Sequence, residues 1–88
     1  MKYKINKGFI VQKLDDKTVI FDGEESTLFT LNETASEIFR LMKKGVEKNI
    51  IVEKMVKKYT IKKERAEKDF NELISDLRKK KIIAGSGK

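Results

Sequence analysis

The sequence predicts an α+β domain of winged helix-turn-helix type, in which a three-stranded antiparallel sheet precedes three helices (β-β-β-α-α-α). Two observations support this prediction: the hydrophobic pattern changes its period near Asn32, and turn residues divide each half into short elements. Before Asn32, β-branched and aromatic residues form short runs, whereas after it apolar residues recur at helical spacing. Because a three-stranded sheet cannot bury its face alone, the helices must cover one side of it.

The N-terminal half predicts three strands joined by two turns. Phe9–Leu14 and Thr18–Phe21 would pair as a hairpin, because the two aspartates after Leu14 are turn residues. Asp22–Ser26 predicts a second turn, and Thr27–Leu31 a third strand, which we expect at the edge of the sheet. Strand alternation gives this third strand two faces, one with Thr27, Phe29 and Leu31 and the other with Leu28 and Thr30.

The C-terminal half predicts three helices. The first begins after Asn32, whose side chain can cap a helix, and ends at the Lys43-Lys44-Gly45 stop. The second begins near Asn49, and the third follows Ile61 and runs to about Lys80. The expected buried stripes are Ala35, Ile38, Phe39 and Met42 in the first, Val52, Met55, Val56 and Tyr59 in the second, and Ala66, Phe70, Leu73, Ile74 and Leu77 in the third.

The chain shows neither an internal repeat nor a linker, which predicts a single domain over residues 1–88 with an ordered core of about residues 3–84. We expect Ile82–Ala84 to dock against this core and Gly85–Lys88 to fray.

The residue inventory argues against catalysis. The sequence has no histidine and no cysteine, which removes the commonest general base and the commonest metal ligands. It also has no glycine-rich phosphate loop and no nucleophile elbow. We therefore expect a protein that is not an enzyme and that holds no cofactor and no metal. No apolar run is long enough for a membrane span, so a cytoplasmic location without membrane contact is expected.

The formal net charge of +7 favours acidic partners. Ten Lys or Arg residues against four Glu residues lie between Lys43 and Lys68. A nucleic-acid-binding winged helix is one alternative, but the third helix mixes several carboxylates with its lysines, which would repel phosphates. Another is a structural or dimerisation module that pairs through the exposed strand edge, and the protein is expected to be a monomer or a weak dimer.

Three stretches of the chain resemble the PqqD family of RiPP recognition elements, where RiPP denotes a ribosomally made and post-translationally modified peptide. The matching positions are Phe29, Leu31-Asn32, Thr34-Ala35, Ile38-Phe39, Leu41 and Gly45, then Tyr59, Ile61, Glu64, Ala66 and Asp69, and finally Leu73, Leu77 and Ile82-Ile83. The sequence departs from the family pattern at three places: Phe39 replaces a usual Trp, Lys62 replaces a usual Asp or Ser helix cap, and Lys81 stands where Gly is common.

The resemblance implies a peptide chaperone that binds the leader peptide of a precursor by strand addition to its third strand. It also implies a modifying enzyme as partner, such as a radical SAM enzyme, a cyclase or a leader peptidase. The residues that it places at the peptide are Thr27, Leu28, Phe29, Thr30 and Leu31 of the third strand, with Arg65, Asp69, Glu72, Leu73 and Asp76 of the third helix.

Overall fold

Residues 4–83 are described by a computed structural model, and their three strands precede three helices as predicted. The fold is therefore the α+β arrangement expected from the sequence. Its elements are β1 (Phe9–Leu14), β2 (Lys17–Asp22), β3 (Thr27–Leu31), α1 (Glu33–Lys43), α2 (Lys48–Tyr59) and α3 (Lys63–Lys79). The bounds agree with the prediction to within one or two residues, and α3 starts at Lys63, directly after the position where the family's usual cap residue is missing.

The sheet is an antiparallel meander in the order β1-β2-β3, so β3 forms one edge, as predicted, and β1 forms the other. Ile20 of β2 lies opposite Val11 on one side and Phe29 on the other. This row faces the helices, and Ile20 is fully buried. The next row, Ile10, Phe21 and Leu28, points to the opposite face of the sheet.

The β2–β3 turn is held by Asp22. Its Oδ1 accepts hydrogen bonds from the backbone N–H groups of Glu24 at 2.9 Å and Glu25 at 3.2 Å. Ser26 then adopts a left-handed conformation with φ of 57°, and its N–H donates to the carbonyl of Asp22 at 2.8 Å. These bonds define where β3 begins.

Asn32 joins the sheet to the helices. Its side chain accepts from the N–H of Ala35 at 2.9 Å and caps α1, as the sequence predicts. One turn later the buried Ser36 hydroxyl donates to the carbonyl of Leu31 at 3.2 Å. The end of β3 and the start of α1 therefore have a defined geometry relative to each other.

A single apolar core lies between the sheet and the helices. The predicted stripe of α3 is buried in full, and that of α1 is buried except for Ala35, which is half-buried. In α2 the prediction is incomplete, because Ile51 is buried whereas Val56 and Tyr59 are half-buried. The largest fully buried side chains are Phe39, Ile20, Ile38, Met42, Ile51, Met55, Leu77 and Ile82.

The segment after α3 returns to the N-terminal segment. Ile5 and Ile83 form an antiparallel bridge, and the N–H of Asn6 donates to the carbonyl of Ile82 at 2.8 Å. Ile82 and Ile83 are buried, as expected, whereas Ala84 and the predicted frayed end lie outside the described residues. None of the helices within residues 4–83 combines the length and apolar character needed to cross a membrane.

Candidate functional site

A cleft separates β3 from α3. No Cα atom of α3 lies within 8 Å of a Cα atom of β3, whereas α1 packs closely against both β2 and β3. A cavity of about 210 Å³ occupies this cleft. It is lined by Phe29, Thr30, Leu31, Asn32, Thr34, Ala35, Asp69, Glu72, Leu73 and Asp76.

The five predicted residues of β3 are distributed along the cleft. Leu31 is buried and Phe29 half-buried, and both belong to the floor, whereas Thr27, Leu28 and Thr30 are exposed. Thr27 and Leu28 line a neighbouring cavity of about 590 Å³ at the other end of the strand. Phe29 lines both cavities, so the cleft is continuous past its ring.

Four of the five predicted residues of α3 line the first cavity. Asp69, Glu72 and Asp76 form the wall, because spacings of three and four residues place them on one helix face. Leu73 is only 4% exposed and forms part of the floor, so it is also a core residue. Arg65 lines neither cavity; its side chain is 68% exposed and its Nε lies 3.5 Å from Oδ2 of Asp69.

The second cavity contains residues that the sequence did not assign to a site. Lys79, Lys80 and Lys81 lie there with Asn6 and Lys7. The run of basic residues at the end of α3 is visible in the sequence, but there it is more typical of a helix C-terminus in solvent than of a binding site. Asn6 donates from Nδ2 to the carbonyl of Lys81 at 2.6 Å, which holds the N-terminal segment beside this lysine run.

The free edge of β3 is the chemically distinctive part of the cleft. β3 bonds to β2 on one side only, so alternate residues direct their N–H and C=O groups away from the sheet. An extended chain laid in the cleft could satisfy these groups. Phe29, Leu31 and Leu73 would meet its apolar side chains from the helix side.

A separate cavity of about 460 Å³ lies near the β1–β2 hairpin, between β1 and the helices α1 and α2. Its main electrostatic feature is Glu37, whose carboxylate lies 2.6 Å from Arg40 and 3.5 Å from Lys58. The hydrogen bond from Arg40 and the charges of both cations outweigh partial burial and lower the pKa of Glu37. Burial raises the pKa of Tyr59 at the same cavity. Glu37, Arg40 and Lys58 form an ion-pair network between α1 and α2.

Within residues 4–83 no group of three or more carboxylate, His or Cys side chains is arranged to hold a metal ion. The cleft instead combines an open strand edge, an apolar floor and a charged helical wall. Fold and cleft together define a small α+β domain with a free strand edge facing a helix.

Comparison with known proteins identifies the family. The model of the family described as coenzyme PQQ synthesis protein D (PqqD) matches residues 17–83, and the chain therefore belongs to the PqqD family. This membership confirms the resemblance found in the sequence. No curated protein matches the sequence significantly.

Two solved structures share the fold. TbiB1 in complex with the TbiA(beta) leader peptide is 25% identical in sequence with a TM-score of 0.82, and the match covers 97% of this chain and 96% of that one. Lasso peptide synthetase B1 complexed with the leader peptide is 20% identical with a TM-score of 0.87, covering 96% and 99% respectively. Both comparisons span nearly the whole of each chain.

Proposed function

We propose that this chain is a non-catalytic peptide chaperone, which binds the leader peptide of a ribosomally made precursor and presents it to a modifying enzyme. The leader would add as a fourth strand beside β3, with side chains entering the cleft in front of α3. Because such precursors are made on ribosomes, the binding step belongs to the cytoplasm. The enzyme would be a radical SAM enzyme, a cyclase or a leader peptidase.

The observation that carries this proposal is the open edge of β3 beside an apolar-floored cleft. Membership of the PqqD family and the fold shared with two leader-peptide complexes support it. Backbone bonds along five strand residues would supply affinity, while the floor residues Phe29, Leu31 and Leu73 would select apolar side chains. We expect a dissociation constant on the order of 1 μM, because the interface is small and a disordered leader loses entropy on binding.

Amide hydrogen exchange followed by NMR tests the strand addition. In the free protein, the β3 amides bonded to β2 should exchange slowly and the alternate amides quickly. Adding the leader of a precursor encoded next to this protein should slow the second set. The amides of β1, at the other sheet edge, are the internal control and should not change.

Leader peptides N-methylated at single backbone positions sharpen the test. Methylation of an amide that bonds to β3 should abolish binding, while methylation one residue away should not, because alternate amides of a strand point in opposite directions. Equal tolerance at every position would contradict strand addition.

Two further outcomes would replace the proposal. Slow exchange along β3 that depends on protein concentration without any peptide would indicate a dimerisation module. Salt-sensitive binding to DNA, with no response to leaders, would indicate a nucleic-acid-binding protein. The carboxylates Asp69, Glu72 and Asp76 on α3 argue against the latter, since phosphates would meet negative charge there.

A further inference from the structure

The two ends of the cleft differ in charge. Beside Leu31 the cavity is lined by three carboxylates, Asp69, Glu72 and Asp76, and by no cation of residues 4–83. Beside Thr27 it is lined by four lysines and three carboxylates. The α3 wall therefore changes from negative to positive along its own length, since Lys79 follows Asp76 by three residues.

The acidic end is not neutralised within the described part of the chain. Asp69 lies 3.5 Å from Arg65, but neither Glu72 nor Asp76 takes part in an ion pair there. A peptide that covered these carboxylates without supplying a cation would remove charge from water uncompensated. The acidic end therefore disfavours a peptide with an acidic or apolar residue at that place.

The lysines at the basic end of the cleft lie beside β3 as well. Nζ of Lys80 lies 5.0 Å from the centroid of the Phe29 ring, which places its charge at the centre of β3. The opposing carboxylates lie in and beside the β2–β3 turn, where Asp22 already accepts two backbone hydrogen bonds. At this end of the cleft, a side chain that points from the added strand toward α3 would thus meet lysines first.

The net charge of the chain does not predict this pattern. The ten basic residues between Lys43 and Lys68 suggest an acidic partner, yet none of them lines either cavity of the cleft. They lie at the end of α1, on α2 and at the start of α3. A peptide bound in the cleft would therefore interact with the charges of the α3 wall and not with these ten residues.

The helix-facing positions of an added strand would run along the wall from its acidic end to its basic end. Residues opposite Leu31, Phe29 and Thr27 would face α3, because directly paired residues point to the same side of a sheet. Side chains on one face of a strand recur about every 7 Å, and the three carboxylates span about 10 Å along the helix. The first of the helix-facing peptide positions thus meets carboxylates, and the last meets lysines.

We propose that the leader segment bound by this chain has the order basic, any, apolar, any, acidic, read from its N-terminus. The basic residue pairs with Glu72 and Asp76, the apolar one packs on Phe29 and Leu73, and the acidic one meets Lys79–Lys81. The order follows from antiparallel addition, which continues the meander of β1, β2 and β3. This inference rests on the function proposed above.

Two synthetic peptides of identical composition test the order. One carries Lys-x-Leu-x-Glu in the strand segment and the other Glu-x-Leu-x-Lys, and affinity is measured by fluorescence anisotropy at about 50 mM and about 500 mM salt. We expect the first to bind about ten-fold more tightly at low salt, with a smaller difference at high salt because ions screen exposed charges.

Protein variants assign the effect to the wall. The double variant Glu72→Gln/Asp76→Asn should lose most of the preference. Asp16→Asn/Glu53→Gln, which changes the net charge equally at exposed positions outside the cleft, should keep it. Thermal unfolding of each variant verifies that it is folded.

The outcomes separate this inference from the proposed function. Equal affinity for the two charge orders, or tighter binding of the reversed peptide, would overturn the inference while leaving strand addition intact. Binding of neither peptide nor of any neighbouring leader would overturn the proposed function, and the inference with it.

Discussion

The Lys80 ammonium lies over the Phe29 ring, 5.0 Å from its centroid, and so connects the end of α3 to the middle of β3. Phe29 lines the cavities at both ends of the cleft, and Lys80 lines only the basic one. The contact therefore marks the point where the wall changes from acidic to basic.

Replacing Lys80 with Met should destabilise the domain modestly. The variant keeps the aliphatic stem but loses the cation–π interaction, which is worth about 0.5–1 kcal/mol at an exposed site. Urea denaturation measures the change in the free energy of unfolding. Lys79→Met is the matched control, since Lys79 shows no ring contact in the described residues. In a Phe29→Leu background the effect of Lys80→Met should vanish, and a persisting effect would refute the assignment.

Substitutions at the N-caps of α1 and α3 should change the free energy of unfolding in opposite directions. Asn32→Ala removes the bond to the N–H of Ala35 and should lower the free energy of unfolding by about 1 kcal/mol. Lys62 occupies the N-cap of α3 with extended backbone and no side-chain bond, so Lys62→Asp should stabilise by up to about 1 kcal/mol. Thermal unfolding measures both, and destabilisation by Lys62→Asp would contradict this account of the α3 terminus.

Thr60 ends α2 in the left-handed conformation, with φ of 53°. A β-branched residue is strained there, by roughly 1–2 kcal/mol. Thr60→Gly should therefore stabilise the domain, although the greater freedom of glycine in the unfolded chain offsets part of the gain. The contrasting control is Lys44→Gly at the end of α1, where φ is −79° and glycine should destabilise. Chemical denaturation of both variants should give changes of opposite sign.

Glu37 predicts a pH-dependent contribution to stability. Its pKa is lowered in the folded state, mainly by the hydrogen bond from Arg40, so the ionised form favours folding. The contribution is present above the usual pKa of a glutamate and is lost as the pH falls through the lowered value. Glu37→Gln should cost about 0.5–1 kcal/mol near neutral pH, since the pair is partly exposed, and little in acid.

Denaturant unfolding of Glu37→Gln at a series of pH values between neutrality and acid measures this dependence. Glu53→Gln, an exposed position on α2, is the control and should show no comparable loss. A difference between wild type and Glu37→Gln that grew toward acid would have the wrong sign for this mechanism.

The elements and the core could be predicted from the sequence because each rests on a local signal. Strand alternation along β3, the Asn32 cap and the stripe of α3 all correspond to the structure. Which stretch of α3 lies beside β3 could not be predicted, because packing against the other elements determines where the helix runs. Arg65, one turn before Asp69 on the same helix face, is consequently outside the cleft, and Lys80, four residues beyond Asp76, is inside it.

Which apolar residues of α2 are buried could not be predicted from the sequence either. Its apolar residues Ile50, Ile51 and Val52 are consecutive, so periodicity alone does not select the buried ones. The structure buries Ile51 and Val52 and leaves Ile50 44% exposed. The role of Asn6 at the basic end of the cleft has no local signal either, since it depends on a bond to Lys81 across the whole domain.

The bridge between Ile5 and Ile83 makes the described chain nearly a closed ring. Paired strand residues have Cα atoms about 5 Å apart, so a linker of a few residues could join the two segments. A circular permutant opened in the exposed Asp15–Asp16 turn would then begin with β2 and end with β1. Such a rearranged chain would leave β3, α3 and the cleft between them in one uninterrupted stretch. Both new termini would lie at the end of the sheet opposite the β2–β3 turn.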